Sequence, residues 1–179
     1  MNLAFSTTFP KGLGHLSGEN TNFVEKIWKG LLMNNLIKRP LDTIALYKGN
    51  PIYEINGSYT GKQKIHTIRK DKFDNWQIGK KIHFCINMRT KNHWQFAPIL
   101  PVQNTQTIKI TYSGKAINVY VDGKHFYYRS AAGQEWSDEA RNNMLRLAMN
   151  DGFDSIDDFF LWFNEDYNGK IIHWTNMKY

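Results

Sequence analysis

One stretch has more reactive side chains than any other part of the chain: Gly61-Lys62-Gln63-Lys64-Ile65-His66-Thr67-Ile68-Arg69. In a β-strand, side chains alternate between two faces, which places Thr67 and Arg69 on one face and Lys64 and His66 on the other. In a helical turn, Lys64 and Thr67 instead share a face. Both interpretations bring an amine, an imidazole, a hydroxyl and a guanidinium close together. The stretch is therefore a candidate functional site.

The length and composition predict one packed domain. The chain has 179 residues, of which 41% are hydrophobic, enough for a single core. No apolar run is long enough to span a bilayer, and residues 1–6 lack the pattern of a signal peptide, so we expect a cytoplasmic protein without a membrane partner. The single cysteine, Cys85, excludes an intrachain disulfide and a cysteine-rich zinc site.

The charge allows a polyanionic partner without requiring one. Lys and Arg number 23 against 16 Asp and Glu, which gives a formal charge of +7. Such a surplus favours contacts with phosphate, although proteins without nucleic-acid partners can be equally basic. The 6 histidines show no spacing typical of metal ligands, so neither a metal site nor a cofactor is expected.

Periodicity predicts an α+β fold. An apolar helical stripe runs to about Met33 after an Asn22 N-cap, and Ser137 and Ser155 are predicted to cap two later helices. Strong alternation over residues 82–88 predicts a half-buried strand with Cys85 on its non-core face. Further predicted strands are residues 3–6, 107–112, 117–121, 124–128 and 170–175, with Asp122-Gly123 as a hairpin turn.

One segment interrupts this order. Residues 31–60 contain Pro40, a turn at residues 48–51 and the dipeptide Asn56-Gly57, and are predicted to form an excursion of short pieces. No repeat or linker divides the chain. We therefore expect residues 1–179 to form one domain built around an antiparallel sheet, either open or closed into a barrel.

The order of these features resembles the ASCH domain, a family related to PUA-like RNA-binding barrels. The resemblance depends on a helix ending near Gly30, the motif Gly61-Lys62-Gln63-Lys64-Ile65-His66-Thr67-Ile68-Arg69, a Trp76-x-x-Gly79 turn and a late Asp151-Gly152-Phe153. The family motif is Gly-x-Lys-x-x-Thr-x-Arg, and this chain has one extra residue between Gly61 and Lys64. The overall pattern is similar to forms found in bacterial and phage genomes.

The resemblance implies both a fold and a site. The fold is a PUA-like open antiparallel β-barrel with flanking helices, and the motif projects into a cleft. One bacterial branch of the family hydrolyses the acetamide of N4-acetylcytidine with a lysine and a threonine of this motif and a later acidic residue. The corresponding residues here are Lys64 as base, Thr67 as nucleophile and Asp151 as acid, an aspartate where that branch has glutamate.

The same residues have plainer interpretations. Lys64 can be a solvated charge, Thr67 an ordinary strand threonine, and Asp151 a residue at a helix end. Arg69 can hold a phosphate or base, or can pair with an acidic neighbour and brace the fold. His66 can line the cleft or be structural. Gly61 and Trp94 are assigned to substrate binding, with Trp94 stacking on a base or folding back onto the core.

Three functions follow from the sequence. The first is binding of RNA or a modified nucleoside in a cleft lined by Lys64, Thr67 and Arg69. The second is enzymatic, namely hydrolysis of an N4-acetylcytidine-type amide or cleavage of RNA. The third is a protein-interaction module of a phage or mobile element that does not bind nucleic acid.

Overall fold

The computed structural model describes residues 1–37 and 61–179. These residues form an α+β fold with three α-helices and nine β-strands. The helices are α1 (Phe23–Met33), α2 (Asp138–Asn150) and α3 (Ile156–Trp162). The strands are β1 (Asn2–Ala4), β2 (His66–Arg69), β3 (Lys81–Ile86), β4 (Trp94–Gln95), β5 (Leu100–Pro101), β6 (Asn104–Ser113), β7 (Ala116–Val121), β8 (Lys124–Arg129) and β9 (Tyr167–His173).

The strands lie in two sheets. The larger sheet has the order β2-β9-β6-β7-β8 and is antiparallel throughout. In the smaller sheet, β3 is flanked by β1 and β4 and also pairs with β5. The pairing of β1 with β3 is parallel, so this pair departs from the antiparallel sheet that the sequence predicts. Within the described residues, no strand pair joins the two sheets into a closed barrel.

One apolar core fills the space between the sheets and helices. Aromatic rings of the smaller sheet meet the end of β9, where the ring centroids of Phe84 and Trp174 lie 5.1 Å apart. On the other face of the larger sheet, Tyr127 of β8 stacks on Phe160 of α3 at 5.8 Å. Among residues 1–37 and 61–179, no helix is long and apolar enough to cross a membrane.

Local sequence signals determine several element boundaries. The Ser137 hydroxyl accepts a hydrogen bond from the Ala140 amide at 3.1 Å, and the Ser155 hydroxyl accepts one from the Asp158 amide at 3.0 Å, which confirms both predicted N-caps. Asn22 was wrongly predicted to cap α1 with its side chain. It adopts a left-handed conformation with φ of 52° and makes no side-chain cap.

Cys85 and the start of the predicted excursion lie in other surroundings than the sequence predicts. Cys85 is buried rather than on a non-core face, because both faces of β3 are covered. The excursion predicted for residues 31–60 begins inside α1, whose last turn includes Leu31 and Met33. The part of that prediction concerning residues 38–60 lies outside the described residues.

Candidate functional site

The motif packs against α1 and continues into β2, and backbone hydrogen bonds hold it on two sides. The Lys64 amide donates to the Lys26 carbonyl in α1 at 2.8 Å, and the Ile65 amide donates to the Asn150 carbonyl at the end of α2 at 3.0 Å. Gly30 lets α1 approach this closely, since a Cβ there would lie 2.4 Å from the Lys64 carbonyl oxygen. The glycine thus sets the position of the motif by its size.

Lys64 and Asp151 form a buried ion pair. The Lys64 Nζ lies 2.8 Å from Asp151 Oδ1 and also donates to the Asp151 backbone carbonyl. Only 1% of Lys64 and 3% of Asp151 are exposed. Among the described strands, β2 is at the edge of its sheet, and its Ile68 amide donates to the same carboxylate oxygen at 3.2 Å. Asp151 therefore joins the end of α2 to the motif through both charge and hydrogen bonding.

Burial shifts the pKa values of this pair. Loss of water lowers the pKa of Lys64 from 10.5 to about 8, and the opposing attraction of Asp151 recovers only part of the shift. Burial, the largest single influence, would by itself raise the pKa of Asp151, but the charge of Lys64 and the contacts with His66 and Lys64 together hold the pKa below its ordinary value. At neutral pH the carboxylate is ionised, while the amine is close to titration.

A turn at Gly152 packs against the side chain of Lys64. Asp151 ends α2, and Gly152 follows with φ of +98°. A Cβ on Gly152 would lie 2.9 Å from the Phe23 ring and 3.1 Å from Lys64 Cδ. The Phe23 ring in turn lies under the amine, with its centroid 4.8 Å from Lys64 Nζ. The predicted Asp-Gly-Phe feature thus positions the lysine side chain as well as the carboxylate.

His66 extends the buried polar network away from the ion pair. Its Nδ1 lies 3.6 Å from Asp151 Oδ1, beyond hydrogen-bond length, while its Nε2 contacts the Tyr179 hydroxyl at 2.7 Å. The same hydroxyl accepts a hydrogen bond from Asn150 Nδ2 at 2.9 Å. Burial lowers the pKa of His66, so the imidazole is neutral and acts as a spacer between Asp151 and Tyr179.

Arg69 braces the two sheets. Its guanidinium donates to the Ala4 carbonyl in β1 at 2.6 Å and lies 5.5 Å from the centroid of the Phe5 ring. Within the described residues, Arg69 has no ion pair with a carboxylate, so the bracing uses a backbone carbonyl rather than the acidic neighbour considered from the sequence. Its positive charge is thus not directly bonded to a carboxylate in the part of the chain that the structure describes.

Thr67 lies in β2 opposite Ile172 and is buried. In the described part of the chain, its hydroxyl makes no hydrogen bond to Lys64 or Asp151. The structure therefore brings Lys64, Asp151 and His66 together, while Thr67 follows His66 in β2 and makes no hydrogen bond to the ion pair. Its role as a nucleophile stays a prediction.

The two other predicted binding residues lie apart from the ion pair. Gly61 is half-buried, and its carbonyl accepts a hydrogen bond from Lys29 Nζ. Trp94 is a half-buried residue of β4 in the smaller sheet, with its ring centroid 6.4 Å from that of Phe96. The packing of Trp94 on Phe96 matches the core interpretation of this tryptophan.

Two lysines complete the site. Lys26 is buried in α1, where its Nζ donates to the Gly152 carbonyl at 2.7 Å and lies 3.3 Å from Asp154 Oδ1. Lys62 donates to the Asp154 backbone carbonyl at 2.8 Å. We call the following group the cationic cluster: Lys26, Lys62, Lys64 and Arg69. Sequence reasoning missed Lys26, whose signal was its place one helical turn before Gly30.

Comparisons with protein-family models, with curated proteins and with solved structures find no match to this chain. Among residues 1–37 and 61–179, no three His, Cys, Asp or Glu side chains gather in a way that could hold a metal ion. The function must therefore be inferred from the geometry and charge of the site.

Proposed function

We propose that the protein is an ASCH-type domain with a PUA-like open β-barrel, and that it binds RNA or a modified nucleoside through the cationic cluster. The observation that carries this proposal is the imbalance of charge around the motif. Two of the four cations face carboxylates, Lys64 with Asp151 and Lys26 with Asp154. A phosphodiester would supply the missing negative charge.

Among residues 1–37 and 61–179, the other two cations have only neutral acceptors. Arg69 donates to the Ala4 carbonyl and Lys62 to the Asp154 carbonyl. Lys62 is half-exposed, so a phosphate in solution can reach it, whereas Lys64 is buried in the core. Amine and guanidinium donors with no paired acid are typical of phosphate recognition.

RNA binding is tested by fluorescence anisotropy with a labelled single strand over a range of salt concentrations. Binding through phosphates gives a log–log slope that becomes shallower by about one when Lys62 is changed to Gln. The matched control is Lys115→Gln, which removes the same charge from the exposed β6–β7 turn and should leave the slope unchanged. A salt-independent affinity, or equal effects of both substitutions, would overturn the proposal.

A second candidate is hydrolysis of an N4-acetylcytidine-type amide, favoured by the pKa of Lys64. A value of about 8 leaves about a tenth of the amine neutral at pH 7. A neutral amine beside a fixed carboxylate is suited to general base catalysis. The lowered pKa of Asp151 argues against the acid role expected for it, because an ionised carboxylate has no proton to donate.

In this candidate reaction, Thr67 Oγ1 attacks the acetyl carbon and Lys64 takes the hydroxyl proton. Collapse of the intermediate breaks the C–N bond, and Lys64 returns the proton to the leaving cytidine amine. Water then hydrolyses the acetyl-threonine ester to acetate and restores the hydroxyl. Asp151 positions the amine throughout, and the reaction requires Thr67 to move into contact with Lys64.

Turnover is measured as release of cytidine from N4-acetylcytidine by liquid chromatography. Lys64→Met and Thr67→Val should both abolish release, and Lys115→Gln should have no effect. Release that survives either of the first two substitutions would exclude this chemistry, while RNA binding could still stand.

A further inference from the structure

One face of the larger sheet is open to solvent where β9, β6 and β7 run side by side. Side chains alternate across a strand, and Ile108 and Ile110 are buried in the core, so Lys109 between them points to the opposite face. Lys109 is exposed, as is Asn168, its register partner in β9. Tyr120, its partner in β7, is half-buried and lies on the same face. This row of side chains therefore faces solvent rather than the core.

Three aromatic rings are stacked along this face. The His125 ring of β8 lies 5.1 Å from the Tyr120 ring, with 36° between the two planes. The Trp136 ring lies 4.8 Å from the His125 ring at 29°. Trp136 is 60% exposed, and His125 is exposed as well. We call Tyr120, His125 and Trp136 the aromatic stack. Single exposed rings are common on proteins, whereas rings gathered into one exposed patch are typical of a binding surface.

The aromatic stack is held in place before any partner arrives. The Trp136 amide donates to the Tyr128 carbonyl at 3.1 Å, which fastens the loop after β8 to that strand. His125 Nε2 lies 3.1 Å from Asn118 Oδ1 in β7, and this contact orients the imidazole. Because the rings are already ordered, little conformational entropy is lost when a flat ligand binds them.

The charge beside the aromatic stack favours an anionic partner. Lys109 lies opposite the tyrosine of the stack, and Lys124 directly precedes its histidine. Both lysines are exposed, and in the described part of the chain neither forms an ion pair. Of the two nearby carboxylates, Asp122 accepts hydrogen bonds from β6, and Glu135 pairs with Arg141 Nε at 2.9 Å. The two unpaired lysines are therefore available to phosphates.

We propose that the aromatic stack binds the bases of a single-stranded nucleic acid. Every base has a π-face, and exposed aromatic side chains stack on bases with little regard to sequence. Stacked rings flanked by amines match the alternation of bases and phosphates along a strand. In a duplex, by contrast, the base faces are covered by neighbouring bases. This inference goes beyond the proposed function, because the aromatic stack shares no residue with the cationic cluster.

The test compares two labelled strands of equal length by fluorescence anisotropy. One is oligothymidylate, and the other is an abasic strand that has the same phosphates but no bases. Stacking predicts that the protein binds oligothymidylate about tenfold more tightly than the abasic strand. Equal affinities for the two strands, or binding of neither, would overturn the proposal and leave the surface to a protein partner.

Trp136→Ala removes the most exposed ring of the stack. It should weaken binding of oligothymidylate by about tenfold and leave binding of the abasic strand unchanged, while Trp136→Phe should retain most of the preference for bases. The matched control is Phe73→Ala, which removes a 78% exposed ring in the loop after β2, outside the stack. Equal effects of Trp136→Ala and Phe73→Ala, or unchanged affinity in Trp136→Ala, would overturn the proposal.

Lys62→Gln distinguishes this surface from the cationic cluster. Because it removes a phosphate contact, it should weaken binding of both strands alike and leave the preference for bases intact. If the cationic cluster binds no nucleic acid, Lys62→Gln should change neither affinity, and the preference for bases should still disappear in Trp136→Ala. A preference for bases that disappears in Lys62→Gln but persists in Trp136→Ala would overturn the proposal.

Discussion

Replacing Asp151 with Asn should destabilise the protein by about 3 kcal/mol at pH 7. Asparagine keeps the shape of the side chain and an oxygen that can accept from Lys64 Nζ and the Ile68 amide, so the main change is loss of charge. Breaking a buried pair by removing one partner typically costs about 3–5 kcal/mol. The pKa of Lys64 places the expected value at the lower end of this range.

The cost of neutralising the Lys64 amine sets the size of the expected loss of stability. Removing the proton at pH 7 from a lysine with an ordinary pKa of 10.5 costs about 5 kcal/mol. The folded parent already has a Lys64 pKa of about 8, so about 3 kcal/mol of that cost has been spent on burying the amine before Asp151 is replaced. Without Asp151, Lys64 can shed its proton for about 1–2 kcal/mol more. Loss of charge-assisted hydrogen bonding adds a similar amount.

The cost should depend on pH with a definite sign. Because the folded pKa of Lys64 lies below its unfolded value, the unfolded state binds more protons between pH 8 and 10.5, and the parent gains stability as pH rises through that window. At about pH 9.5 most of the folded parent already has a neutral Lys64. The penalty of Asp151→Asn should therefore fall to about half of its value at pH 7.

Urea unfolding followed by tryptophan fluorescence at both pH values measures these differences. The double variant Lys64→Met/Asp151→Asn should recover part of the lost stability, since no charge is left unpaired. A loss below about 1 kcal/mol at pH 7, or an equal loss at both pH values, would show that the pair is solvated rather than buried.

Three further predictions concern neighbouring contacts. Gly30→Ala should lower the free energy of unfolding by about 1–3 kcal/mol, because the added methyl group meets the Lys64 carbonyl. Helix propensity alone would instead raise the free energy of unfolding by about 1 kcal/mol. Urea unfolding measures which of the two effects is larger, and a gain in stability would refute the close approach. Tyr179→Phe should lower the melting temperature and cost about 1–3 kcal/mol, since His66 Nε2 loses its partner, and an unchanged melting temperature would refute this. Burial lowers the pKa of His173 to about 3, so the stability present above pH 6.5 should be lost as the pH falls towards 3. The urea midpoint of His173→Phe should fall less than that of the parent over this range. An equal fall in both proteins would show that His173 is not the group responsible.

Local patterns were sufficient for much of the larger sheet. Alternation and the Asp122-Gly123 turn predicted the β6–β7–β8 meander, and the observed strands extend those predictions by a few residues at most. Serine caps likewise placed the starts of α2 and α3. These features depend on side-chain periodicity and on hydrogen bonds between residues close in sequence, which a single chain displays directly.

Long-range packing was not predictable in the same way. Nothing in the local sequence distinguishes the buried Lys64 and Lys26 from a solvated lysine, because their burial comes from α1, the end of α2 and the Phe23 ring meeting at one point. The contact of Tyr179 with His66 joins positions 113 residues apart. The spacing of the motif could indicate a site, but only the tertiary fold reveals which groups lose water.

Neither the buried ion pair nor the unpaired polar atoms near the end of β9 is the most stable arrangement for a protein core. A well-packed apolar replacement for a buried ion pair is often as stable as the pair or more so, and unpaired polar atoms such as His173 Nδ1 lower stability outright. Both features flank the same two strands, since His66 of β2 lies opposite His173 of β9. The His66 ring connects the two features, since its Nδ1 lies 3.6 Å from Asp151 Oδ1 and its centroid lies 5.2 Å from that of His173. Substitutions at Asp151 and at His173 are therefore close enough to be coupled through His66, and their effects on stability should not simply add.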